Sequence, residues 1–260
     1  MNRLLAGNLS RLRKNILFWL ALVCAMVNPI YVVINNWYYK GLWDLPLYAE
    51  GPFFSIGTDY FFIIALAVVI SLFIGTEYGY HTIRNKLISG YSRLSVYLAN
   101  LTVSIIIAVA MYLTGTISAC IGIPLLDGFV LPFGKRMIQM CVAVISISVM
   151  ATIICTISII IGNRVIGVIV SLLTAIGLQY LPFALWSDIQ FLTDMGRLDS
   201  FRARLDLLLY DLLPTGQLYQ LTGSLENIPK NIYLFPVYSL LFMALLGTIG
   251  VICFRKKNLK

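Results

Sequence analysis

The chain is 260 residues long, 60% hydrophobic and only 12% charged, about half the charged share of a soluble domain. That balance excludes a soluble globular fold, and several apolar runs exceed the roughly 20 residues needed to cross a bilayer core. The net charge of +8 does not point to nucleic acid, because the basic residues sit at the ends of apolar runs, as topology determinants do.

In chain order, residues 1–15 place Arg3, Arg11, Arg13 and Lys14 among Leu4, Leu5, Leu9 and Leu12. The leucines recur at helical spacing, which predicts an amphipathic segment on the inner leaflet or a plain basic anchor. The first apolar run follows these cations as a signal peptide would. It is long, however, and lacks a small-x-small cleavage site before Trp37, so it reads as span 1, residues 16–34. Asn28-Pro29 predicts a kink within it. Trp37, Tyr38 and Tyr39 form an interfacial aromatic belt. Residues 35–57 read as an outer loop, with Asp44 and Glu50 against Lys40. Span 2 is residues 58–75, with Asp59 at its outer edge.

Residues 76–95 then form the longest polar insertion predicted to face the cytoplasm. Tyr78, Ile83 and Leu87 share part of one helical face, and Arg84, Asn85 and Lys86 fall elsewhere. Ser89-Gly90 interrupts, and Ser92-Arg93 leads into span 3. The pattern predicts a short helix across the membrane surface, shaped to dock on something soluble.

Span 3 covers residues 96–123 and ends at Pro124. Span 4 covers 137–161, Gly162-Asn163-Arg164 makes a tight inner turn, and span 5 covers 165–186 with Pro182 near its outer end. Residues 187–233 form a large outer segment. In it Leu198, Phe201, Leu205, Leu208, Leu209 and Leu212 recur at helical spacing, predicting an amphipathic helix sunk in the outer leaflet or packed on the bundle's mouth. Span 6 covers 234–254, and Arg255, Lys256, Lys257 and Lys260 close the chain. The predicted architecture is an all-α polytopic bundle, a single transmembrane domain over residues 1–260, with six spans and both termini cytoplasmic.

Charge placement agrees: the proposed inner segments hold 12 of the 19 Lys and Arg residues, and the outer ones hold 10 of the 11 acids. Only the cations set topology; the acids leave an exterior that attracts cationic material. Ala110, Thr114, Ser118 and Gly122 on span 3, and Ser148, Thr152 and Thr156 on span 4, repeat at intervals of four. Small residues so spaced let helices approach closely.

What chemistry the sequence lacks narrows its function. The ionisable residues near membrane depth, Asp59 and Glu77, are edge residues, whereas an ion-coupled pump places paired charges mid-membrane. No hydrolase or metal motif occurs, and the lone His81 reads as a surface histidine. The five cysteines lie singly in apolar runs and read as packing residues. The string 128–136 has the wrong glycine spacing for a phosphate-binding loop and lacks its Ser or Thr. No cofactor is expected in this chain.

At Glu77, then Thr82-Ile83-Arg84-Asn85-Lys86, then Ser92-Arg93, the chain resembles the permease subunits of ABC-2-type ABC transporters. Its layout is similar to the six-span bacitracin- and lantibiotic-resistance branch. Leu213-Pro214-Thr215-Gly216-Gln217 and Phe254-Arg255-Lys256-Lys257 also look like this family. His81 departs from it, standing where a glycine is common.

The resemblance implies an ABC-2, type V-like exporter bundle in the bacterial plasma membrane. Glu77, Tyr78, His81, Thr82, Arg84, Asn85, Lys86, Ser92 and Arg93 would make a coupling helix docked on a soluble ABC ATPase subunit. That partner would carry the ATP and Mg. Further partners implied are a second permease copy or sister permease, an amphipathic cargo (antimicrobial peptide, lipid-like compound or drug) and the bilayer, with no nucleic acid. The competing reading is a non-transporting immunity or sensor subunit that binds a peptide at its outer face.

Overall fold

The computed structural model describes residues 2–43, 55–126, 132–197, 199–223, 229 and 231–257. The expected acids Asp44 and Glu50, residues 128–131 of the 128–136 string, Leu198, and Lys260 lie outside the described residues. Ten α-helices account for most of what is described: α1 Asn2–Arg13, α2 Ile16–Trp43, α3 Tyr60–Gly79, α4 Thr82–Ile88, α5 Arg93–Ile121, α6 Phe133–Ile161, α7 Arg164–Asp194, α8 Phe201–Leu212, α9 Pro214–Gly223 and α10 Phe235–Lys256. Six of them, α2, α3, α5, α6, α7 and α10, are long and apolar enough to cross a membrane. Backbone polar groups in lipid must be satisfied within the segment, which is why apolar runs of this length become helices.

The helices overrun several expected span ends. α2 continues to Trp43 and α7 to Asp194, both passing through their prolines, Pro29 and Pro182, without ending. A helix does not stop where the hydrocarbon stops, so hydropathy underestimates length. Near Tyr80 the opposite holds. The expected continuous run from Tyr78 to Leu87 is broken, because α3 ends at Gly79 and α4 begins at Thr82.

α6 sits at the centre, touching α3, α5, α7, α9 and α10. α3, α5 and α6 bury half or more of their most apolar windows, whereas α2, α7 and α10 bury less than a third. The small-residue faces explain the closeness. A Cβ on Gly122 would lie 2.3 Å from Val33 Cγ1. Ser118 Oγ donates to the Gly115 carbonyl of its own helix at 2.7 Å and comes within 3.3 Å of the Met26 carbonyl on α2. The stripe that meets α2 therefore runs through Gly115, Ser118 and Gly122. Thr114 hydrogen-bonds the Ala110 carbonyl within its own helix.

Between α7 and α10 the chain folds back. α8 is capped by Ser200 and buries Asp206 and Tyr210, while Phe201, Leu205 and Leu208 stay exposed. α9 then turns into the bundle. Gln217 is fully buried, and its Oε1 accepts from Ser146 Oγ on α6 and from Ser239 Oγ on α10, each at 2.7 Å. Ser146 lies halfway along α6, so α9 is re-entrant. Thr215 Oγ1 donates to the Leu178 carbonyl at 2.7 Å. A Cβ on Gly216 would stand 2.1 Å from the Tyr210 carbonyl oxygen. Leu213-Pro214-Thr215-Gly216-Gln217 is thus a tight corner that drives a polar anchor into the interior.

Candidate functional site

The end of the bundle opposite α9 carries α1, α4, the α6–α7 turn and the last turn of α10. Its frame is set by backbone turns. His81 has φ +53°, in the left-handed region that glycine favours, and this redirects the chain between α3 and α4. Gly90 at φ +90° ends the excursion. Ser92 caps α5, its Oγ accepting from the Ser95 N–H at 3.1 Å. α4 is therefore a short bar held between two spans of the core. α7 begins hard against α3, where a Cβ on Gly75 would lie 3.0 Å from Arg164 Cα.

Glu77 is fully buried at this junction and is met by two cations. Arg11 Nη1 from α1 lies 2.6 Å from Glu77 Oε1, and Lys86 Nζ from α4 pairs with the same oxygen. Arg11 is further held by the Phe73 carbonyl at 2.9 Å and lies 4.2 Å over the Phe73 ring. Two amides complete the arrangement. Lys86 Nζ donates to Asn8 Oδ1, Asn8 Nδ2 donates to Asn100 Oδ1, and Asn100 Nδ2 donates to Glu77 Oε2, each at 2.8 Å. Lys86, Asn8, Asn100 and Glu77 form a closed ring in which Lys86 donates in both directions and Glu77 accepts from both sides. Desolvating a carboxylate is costly, and pairing plus full hydrogen bonding is what makes it tolerable.

A second set of contacts ties the end of α10 to the same end of the bundle. Arg93 Nη1 donates to the carbonyls of Phe254, Arg255 and Lys257, at 3.0, 2.6 and 2.7 Å. A cation there complements the negative end of α10. Lys257 Nζ donates to the carbonyls of Ile159 and Ile160 at the end of α6 and lies over the Tyr78 ring. Burial pushes its ammonium below the usual lysine value. Tyr78 Oη donates to the Ile159 carbonyl at 2.7 Å.

The nine residues predicted from sequence thus divide. Glu77, Tyr78, Lys86 and Arg93 bond to other elements of this chain. Thr82 Oγ1 donates to the Glu77 carbonyl, and Ser92 serves as a cap. His81, Arg84 and Asn85 are exposed. Beside them opens a cleft of about 390 Å³, lined by Glu77, Tyr78, His81, Arg84, Asn163 and Arg164 among others. Sequence reading missed Asn8, Arg11 and Asn100. The signal was there for Asn100, an amide inside an apolar run, where polar groups are rare and partnered.

Comparison with curated proteins returns no match. A family model described as ABC-2 family transporter protein matches residues 4–178, about two thirds of the chain, spanning nearly all of α1, the ring and about half of α7. This multi-pass membrane protein belongs to the ABC-2 transporter family.

Proposed function

We propose that the chain is the permease subunit of an ATP-driven exporter in a bacterial plasma membrane. It moves an amphipathic cargo, such as an antimicrobial peptide or a lipid-like compound, and so confers resistance or immunity. A soluble ABC ATPase docks at α4, and a second permease copy or a sister permease completes the membrane half. ATP and Mg belong to the ATPase. The basic end faces the cytoplasm, as the bias of Lys and Arg requires.

The observation that carries this reading is α4 itself. It joins two deeply buried spans, it is fixed at both ends by turns and caps, and it presents His81, Arg84 and Asn85 outward beside an open cleft. A bar so mounted passes a partner's motion to α3 and α5 as a rigid-body tilt. A chain without mid-membrane ion-coupling pairs needs such an external source of work.

Co-purification of the ATPase tests the docking. Arg84→Glu with Asn85→Glu is expected to abolish it, while Lys86, committed to the ring, is left alone. Retention of the ATPase by that double variant would defeat the docking surface. Equal peptide resistance with a hydrolysis-dead ATPase would defeat transport in favour of passive binding.

A further inference from the structure

The ring around Glu77 does more than neutralise a buried charge. Its members come from four elements: Asn8 from α1, Glu77 from the end of α3, Lys86 from α4 and Asn100 from α5, with Arg11 of α1 pairing with Glu77 at its rim. α1 also buries Leu4, Asn8 and Leu12 against the bundle, while Arg3, Ser10 and Arg13 face outward. A plain membrane anchor has no need of a buried polar bond to a neighbouring span. Removing one partner from such a network leaves a buried charge or a buried amide unpaired. The ring therefore resists being opened one bond at a time.

We infer that Glu77 is a positioning residue that locks α1 and α4 into one rigid lever. Force applied at His81, Arg84 and Asn85 then reaches α1 and α5 together, instead of being absorbed by flexing of α4. This inference rests on the docking reading for its consequence, but the lock itself can be measured without any partner.

The experiment uses the full chain in lipid nanodiscs with its five native cysteines replaced by alanine. Spin labels are placed at Ser10→Cys on α1 and Asn85→Cys on α4, both exposed sites, and the distance distribution is read by pulsed dipolar spectroscopy. The parent is expected to give a single narrow distribution, and Glu77→Gln one at least twice as wide. Glu77→Asp, which keeps the charge, is expected to fall between them. Arg11→Gln, changed at the half-exposed rim of the ring, provides a second variant and is expected to broaden the distribution too. An unchanged width in both Glu77→Gln and Arg11→Gln overturns the lock.

In the assembled complex the same two variants are expected to retain the ATPase and the KM for cargo. Cargo moved per ATP hydrolysed should fall at least tenfold, with partial recovery in Glu77→Asp. An unchanged transport-to-hydrolysis ratio overturns the lever. If the parent chain fails to retain an ATPase at all, the docking reading fails while the spectroscopic result stands.

Discussion

His81 is the one described non-glycine residue with a positive φ, and the family resemblance puts glycine there. A left-handed L-residue costs roughly 1–2 kcal/mol, and glycine returns part of that as extra freedom in the unfolded chain. His81→Gly is expected to change stability by less than about 1 kcal/mol and His81→Val to lower it by about 2 kcal/mol, as read by thermal unfolding in detergent. Asp59 offers a pH test at the other end. Its carboxylate caps α3 by accepting from the N–H groups of Phe61 and Phe62, and burial pushes its pKa up. A raised carboxyl pKa favours the protonated form in the fold. This contribution is therefore present at low pH and lost as pH rises through the raised value. Asp59→Asn keeps a capping oxygen and is expected to flatten that part of the pH–stability curve.

Among the elements, α9 depends most on a single atom's absence. The Tyr210 carbonyl occupies the place of a Cβ at residue 216 and belongs to backbone, which cannot rotate away. Gly216→Ala is expected to cost about 2–4 kcal/mol and to withdraw Gln217 from Ser146 and Ser239, visible as faster proteolysis between α8 and α9. Gly122→Val is expected to pry α2 from α5 at a cost of about 1–3 kcal/mol, measured by unfolding, because Val33 is β-branched and cannot turn aside. These elements were unequally legible in the sequence. Six spans and the α8 amphipathicity follow from periodicity and hydropathy. The re-entrant path of α9 does not, because Gln217 reads as a loop residue until Ser146 and Ser239 are placed beside it. The ring was likewise hidden. Glu77 and Lys86 are nine residues apart, but their partners come from residues 8, 11 and 100, and no local pattern announces a contact over 66 residues such as Arg11 with Glu77.

At the scale of the molecule, α3, α5 and α6 form a buried centre and α2, α7 and α10 a periphery. Large apolar side chains such as Val23, Val27, Leu173 and Phe183 stay exposed on that periphery. Sidedness has a direct check. A cysteine at Asn85 is expected to resist an impermeant maleimide in intact cells and to react in inside-out vesicles. Labelling from outside would invert the whole arrangement, because α1, α4 and the end of α10 share one end of the bundle through the ring and the Arg93 and Lys257 contacts.

The ring also bears on biogenesis. All its members lie within the first 100 residues, so it can close before α6 has been synthesised. In order of synthesis Arg11 is thus the first of Glu77's partners to be made, with Lys86 and Asn100 following the acid itself.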